Sequence, residues 1–201
     1  MGSPNLAVFL DRDGVITSNV YYEEWGEWEA PMKPEDVLFL PGTIEALSLL
    51  QRSGYLMFIV SNQGAYAKGK APLESLIQTG LHVEKMLNTA GIQMTQAYYA
   101  YGHPDGIVKG FSGESLERKP HPYFLYLASA TYHIDLSRSW MVGDRITDIQ
   151  CGLAAGCQTI WVSERNLKAP TDMVTPTIQA SNLLEATAYI VNYNRLSEDG
   201  D

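Results

Sequence analysis

Leu6-Ala7-Val8-Phe9-Leu10 runs without a polar interruption into Asp11-Arg12-Asp13-Gly14-Val15. Five consecutive apolar residues read as a strand covered on both faces, which is the environment of a central strand in a parallel sheet. The charged residues then stand where that strand ends. Side-chain alternation at period two predicts that Asp11 and Asp13 face one side and Arg12 the other. Two carboxylates so close repel unless a cation or a proton intervenes, and hard oxygen ligands suit Mg²⁺. Taken alone, the same four residues also fit a turn.

The rest of the chain supplies the partners this strand needs. Pro41-Gly42-Thr43 predicts a helix start with Thr43 as N-cap, and Ile44, Leu47 and Leu50 recur at helical spacing until Gly54. Tyr55 to Val60 reads as a second buried strand. Pro72 opens a helix whose apolar face holds Leu73, Leu76, Ile77, Leu81, Val83 and Leu87, closed by Gly91. A strand at Ala97 to Tyr101, a helix at Tyr123 to His133, a strand at Ser139 to Val142, a helix at Ile146 to Ala155 and a strand at Thr159 to Val162 follow. A last helix is expected at Asn182 to Tyr193. Alternating strands and helices imply an α/β fold, a central parallel sheet between two helical layers, with sites at the carboxyl ends of the strands.

Composition bounds the function. The chain has 201 residues, 45% hydrophobic and 18% charged, enough for one sizeable core, so residues 1–196 are expected to form a single domain with 197–201 as a disordered tail. A formal charge of -9 leaves no net positive field for nucleic acid or an anionic membrane, and neither is expected as a partner. No stretch approaches the ~20 apolar residues of a membrane span. With only Cys151 and Cys157 and no signal-peptide pattern, a reducing cytoplasm is the expected location. Two segments break the alternation, a flap at 17–40 and a loop at 102–118, and each is a candidate for substrate contact.

Further polar residues collect at predicted strand ends. Ser61-Asn62-Gln63-Gly64 offers a hydroxyl, two amides and a flexible glycine, the chemistry of a phosphate cradle. Gly143-Asp144-Arg145-Ile146-Thr147-Asp148 adds a third carboxylate and a fourth one turn later, with Asp144 also readable as a helix cap. Lys119 precedes Pro120 at a helix start, where its charge can meet an anion.

In this order, Asp-x-Asp, Ser, Lys and Gly-Asp-x-x-x-Asp, the sequence resembles the haloacid dehalogenase (HAD) superfamily of phosphatases over Leu6 to Val162. The resemblance implies a Rossmann-like three-layer α/β/α sandwich. It makes Asp11 the nucleophile that forms an aspartyl-phosphate and Asp13 the acid and base. Mg²⁺ is then held by Asp11, the backbone carbonyl of Asp13 and Asp144, with Ser61 and Lys119 on the phosphoryl group and Asp148 supporting that shell. About fifty residues between Asp11 and Ser61 leave no room for a cap domain.

Phe9-Leu10-Asp11-Arg12-Asp13-Gly14, Ser61-Asn62-Gln63-Gly64, His103-Pro104-x-Gly106, Arg118-Lys119-Pro120-His121-Pro122 and Met141-Val142-Gly143-Asp144 resemble more closely the D-glycero-D-manno-heptose 1,7-bisphosphate phosphatases. Histidinol-phosphate phosphatases are their close relatives. The resemblance implies hydrolysis of a small sugar phosphate destined for surface polysaccharide, most directly at the 7-phosphate. Arg118 and Arg145, with Asn19, Tyr22, Asn62 and Gln63, become the substrate contacts. Those relatives carry Cys-x-His and Cys-x-Cys zinc ligands where this chain has Ala100, Gly102, Ser115 and Glu117, so no zinc is expected and packing must order the loop. The aromatic, acidic string Tyr21 to Glu29 can stack on a sugar, through Trp25 or Tyr22, or pack the flap on the body or on a second subunit, and the two readings are compatible. Histidinol phosphate, or another small phosphometabolite, is the alternative substrate, and a catalytically idle binding protein of the same fold is the alternative class. A monomer or weak homodimer is expected.

Overall fold

The computed structural model describes residues 3–163 and 174–198. The first strand, β1 (Ala7–Leu10), leads into a flap whose short hairpin pairs β2 (Val20–Tyr22) with β3 (Glu27–Glu29). Then come α1 (Thr43–Arg52), β4 (Leu56–Asn62), α2 (Leu73–Thr89), β5 (Gln96–Ala100), α3 (Tyr123–Tyr132), β6 (Trp140–Gly143), α4 (Ile146–Ala155), β7 (Gln158–Val162), β8 (Ile178–Ala180) and α5 (Leu183–Glu198).

Six strands form one sheet in the order β5-β4-β1-β6-β7-β8, and every adjacent pair is parallel. The expected α/β fold is therefore present. Its cause is visible in the side-chain alternation. Val8, Leu10, Met57, Ile59, Trp140 and Val142 face one apolar layer with Leu47 and Leu50 of α1, Val83 and Leu87 of α2 and Ile190 of α5. Ala7, Phe9, Phe58, Val60 and Met141 face the other, with Phe124, Leu125 and Ala128 of α3 and Cys151 and Ala155 of α4. Both faces of β1 are thus covered, which is why its sequence needs no polar position.

The sheet also sets the site. β1 lies between β4 and β6, so connections leave it in both directions and a crevice opens at their carboxyl ends. The register pairs Leu10 with both Ile59 and Val142, and the Asp11 amide still donates to Val142 at 2.9 Å. Asp11, Ser61 and Asp144 consequently emerge at one level.

Several local readings are corrected. Gly42, with φ of 78°, is the N-cap of α1, and Thr43 is its first helical residue, its hydroxyl donating instead to the Ile16 carbonyl at 3.2 Å. β4 extends through Ser61 and Asn62, because pairing with β5 continues to Asn62 opposite Ala100. The last helix runs on to Glu198, so Ser197 and Glu198 are helical, while the remaining tail residues 199–201 lie outside the described residues. The hairpin β2–β3 and the edge strand β8 were not expected from the pattern.

Candidate active site

The turn after β1 is built by one carbonyl. Arg12 O accepts the amides of Ile16 and Thr17, each at 2.8 Å, while Gly14 donates to Thr17 O at 2.7 Å. Gly14 has φ of 88°, and a Cβ there would collide with the Asp144 carboxylate, so glycine both permits the turn and lets Asp144 approach. This turn ends strand alternation. Arg12 does not face away from the carboxylates: fully buried, it curls so that Nε donates to Asp13 Oδ1 at 2.9 Å.

Asp11 receives the Arg12 amide on Oδ1 at 2.7 Å and the Lys119 ammonium on the same oxygen at 3.0 Å. Lys119 is buried, and its Nζ also meets Asp148 Oδ1 and the Val60 carbonyl, each at 2.6 Å. Asn62 fixes this lysine from the backbone, donating to Lys119 O and accepting from Lys119 N, both at 3.0 Å. Burial works to lower the ammonium's pKa, but Asp11 and Asp148 overcome it and hold the charge firmly on.

Across β6, Arg145 and not Asp144 caps α4, and Asp148 Oδ2 accepts the Arg145 amide at 2.9 Å. Asp144 is thereby released to point into the crevice, where its buried Oδ1 has no hydrogen-bond partner among the described residues. Burial, reinforced by Asp11 and Asp148, pushes its carboxyl up to about 8, and burial likewise lifts Asp11 to about 6 against the pull of Lys119. Oxygen atoms of Asp11, Asp144 and Asp148 lie within 4.8 Å of one another. An orphaned buried carboxylate oxygen among three crowded acids is a donor set that a cation would satisfy, and its all-oxygen chemistry fits Mg²⁺.

These residues line a cavity of about 420 Å³ with Asp13, Ser61, Asn62, Gln63, Arg118 and Arg145. Arg118 is half-buried, donating to Gly102 O at 3.1 Å, and burial together with the Arg145 charge lowers its pKa, so the two guanidiniums stand close. Arg145 is exposed at the rim. The cavity thus carries two arginines beside its acids, available for a second anion.

Not every candidate contact reaches the cavity. The Tyr22 hydroxyl is engaged inside the flap, donating to Asp36 Oδ2 and accepting from the Met32 amide, both at 2.9 Å. Neither it nor Asn19 lines the cavity; Glu29, Ala30 and Met32 represent the flap there. Gln63 is buried with both ends of its amide bonded to protein atoms. Trp161 and Thr147 line the cavity and carried no signal beyond their positions in β7 and at the start of α4. Lys70, also unforeseen, bonds Glu27 and Glu29 at 2.6 Å each and sits 5.2 Å from the Trp25 ring centre. It staples the hairpin to the segment after β4. Of the two readings of Tyr21 to Glu29, packing is what these contacts describe.

Packing also holds the loop at 102–118. The Tyr66 and Phe111 rings meet edge-on at 4.9 Å, Ala67 O accepts Ile107 N at 2.7 Å, and His103 N donates to Phe111 O at 3.0 Å. Cys151 and Cys157 are buried and pushed up to about 12 by that burial, which leaves them unreactive thiols.

The HAD-hydrolase-like family model matches residues 116–186. The D-glycero-beta-D-manno-heptose-1,7-bisphosphate 7-phosphatase of Escherichia coli K12 is 34% identical over 157 residues, covering 76% of each chain. The Vibrio cholerae enzyme of that name is 34% identical over 153 residues, covering 76% of this chain and 78% of its own. Among solved structures, a D,D-heptose 1,7-bisphosphate phosphatase from B. bronchiseptica, complexed with magnesium and phosphate, superposes with a TM-score of 0.72 at 21% identity. That match covers 94% of this chain and 99% of the other.

Proposed function

The chain belongs to the heptose-bisphosphate phosphatase family of HAD-like hydrolases, and from that premise we propose that it is a Mg²⁺-dependent phosphatase that removes the 7-phosphate of a D-glycero-D-manno-heptose 1,7-bisphosphate. The observation that carries this reading is one cavity lined by a nucleophile, a buried lysine, a crowded acid cluster and two guanidiniums. A bisphosphate needs both sets of groups: one phosphate reacts at Asp11 while the second is held by Arg118 and Arg145.

Each step follows from the residues in place. An Asp11 oxygen attacks phosphorus as the bond to the sugar oxygen breaks, and that oxygen takes the proton from Asp13. Water then attacks the aspartyl-phosphate, giving its proton to Asp13, and the Asp11–phosphorus bond breaks to release phosphate. Ser61 and the Lys119 ammonium stabilise charge on the transferring group in a site shielded from water. Asp11, Asp144 and the Asp13 carbonyl would hold Mg²⁺, which would supply charge neutralisation. Asp148 keeps Lys119 and the Arg145 amide in place.

The test is phosphate release from both heptose 1,7-bisphosphate anomers and histidinol phosphate, with Mg²⁺ and with chelator. A metal-dependent preference for one heptose anomer, abolished in a folded Asp11→Asn variant, is the expected result. Preference for histidinol phosphate moves the substrate, and turnover retained without Asp11 removes the mechanism.

A further inference from the structure

Asp13 is held on both oxygens, on one by two side chains that do not line the cavity and on the other by Gln63 at its wall. Arg12 Nε and Thr17 Oγ1 donate to its Oδ1, each at 2.9 Å, and Gln63 Nε2 donates to its Oδ2 at 2.6 Å. The ring closes on itself, because Arg12 Nη2 donates to Gln63 Oε1 at 2.8 Å. Gln63 Nε2 also reaches Ser61 Oγ at 2.9 Å, tying the same amide to the end of β4.

Stability alone does not account for this arrangement. Arg12 is fully buried, its Nη1 has no hydrogen-bond partner among the described residues, and its guanidinium carbon lies 5.7 Å from the Tyr99 ring centre. Apolar residues of similar volume generally serve a core at least as well as a buried ion pair, so the pair is better explained by what it orients. A carboxyl gripped on one oxygen can still rotate about its Cβ–Cγ bond. Gripped on both, by two side chains that are bonded to each other, its plane is fixed.

We propose that Arg12 and Gln63 are positioning residues, a closed clamp with Thr17 that fixes the plane of the Asp13 carboxyl for proton transfer to the leaving oxygen. This rests on the phosphatase reading above and adds two residues that act through Asp13. It also gives Gln63 a different task from direct substrate contact.

The leaving group separates such a role from a merely structural one. A sugar or simple alkyl phosphate departs as a poor alkoxide and needs the proton of Asp13, whereas p-nitrophenolate leaves without one. General acid catalysis contributes roughly 10²–10⁴-fold, so misalignment should be costly only where a proton is required. The variant is Gln63→Met, similar in volume but unable to bond either Asp13 or Arg12, with Thr17→Val as a second, milder lesion that leaves the arginine in place. Retained melting behaviour and a retained Mg²⁺-induced rise in melting temperature establish that each is folded.

With Mg²⁺ present, kcat/KM for the heptose bisphosphate should fall at least tenfold in Gln63→Met and severalfold in Thr17→Val. For p-nitrophenyl phosphate it should change less than about threefold. Because water activation also needs Asp13, Gln63→Met should release a burst of p-nitrophenolate stoichiometric with enzyme before a slowed steady state. Equal falls in kcat/KM for both esters, or no fall for either, overturns the clamp while leaving the phosphatase reading intact. Wild-type protein inert toward both esters overturns that reading and the clamp together.

Discussion

Lys119 and Asp148 form a 2.6 Å ion pair in which the carboxylate is wholly sealed from solvent and the ammonium almost so. That pair also links α4 to the Asp11 oxygen that shares the same ammonium. Replacing Lys119 by Met strands two buried carboxylates. Breaking a buried pair on one side costs about 3–5 kcal/mol, so denaturant melts in chelator should show a loss of that order. Turnover should fall by about 10²–10³-fold, the usual effect of removing one donor from a developing negative charge. A variant that melts like wild type and keeps its rate contradicts the placement of this lysine.

The acid cluster makes stability and metal binding depend on pH in opposite senses. Asp11 and Asp144 have folded-state values near 6 and 8, above their ordinary value of 3.8. Between about pH 4 and 8 the folded state therefore binds more protons than the unfolded state, and stability of the chelated protein falls as pH rises through that window. Mg²⁺ competes with those protons. Thermal melts should show a larger Mg²⁺-induced stabilisation at pH 8 than at pH 5.5, and the reverse ordering would refute the assignment of these acids to the cation.

Gly14 and Gly54 separate backbone strain from crowding. Both have positive φ, 88° and 80°, but a Cβ on Gly14 meets the Asp144 carboxylate while one on Gly54 meets nothing within 4 Å. Alanine at either position should cost on the order of 1 kcal/mol in strain. Only Gly14→Ala should also raise the Mg²⁺ concentration for half-maximal activity, by about tenfold or more. Equal Mg²⁺ titrations for the two variants would show that the turn after β1 does not shape the metal site.

Lys70 joins the flap to the body at one point. Its pairs with Glu27 and Glu29 are partly open to solvent, so Lys70→Met should cost less than about 1 kcal/mol. The hairpin, however, loses its staple, and Glu29 and Met32 lie on the cavity wall. KM for the bisphosphate should rise severalfold with kcat little changed, and limited proteolysis should cut more readily between Tyr22 and Glu29. Unchanged KM would remove the flap from substrate binding.

Legibility in the sequence followed the length and burial of each element. β1 and β4 announced themselves because both faces are covered, and the bounds of α4, Ile146–Ala155, agree residue for residue with the pattern. β2, β3 and β8 are three residues each, too short for periodicity to register. The orientation of Arg12 was misread for a different reason: alternation holds only inside a strand, and β1 stops at Leu10. Beyond it, direction is set by the turn that folds onto the Arg12 carbonyl. Asp11, Ser61, Lys119 and Asp144 could be picked out because each sits at a strand end or helix start, where the fold dictates position. Tyr22 could not be resolved, since its partner Asp36 lies in the same irregular flap.

The edge-on contact of Tyr66 with Phe111 has a consequence for chemistry under oxidative stress. A loop ordered by cysteine thiolates offers peroxide soft, electron-rich targets, and oxidising them releases the segment they hold. Here an edge-on aromatic pair and backbone carbonyls hold the loop, and the two thiols of the chain are buried, their pKa values pushed up to about 12. Oxidants that attack accessible thiolates therefore find none among the groups named here as holding the loop that carries Arg118.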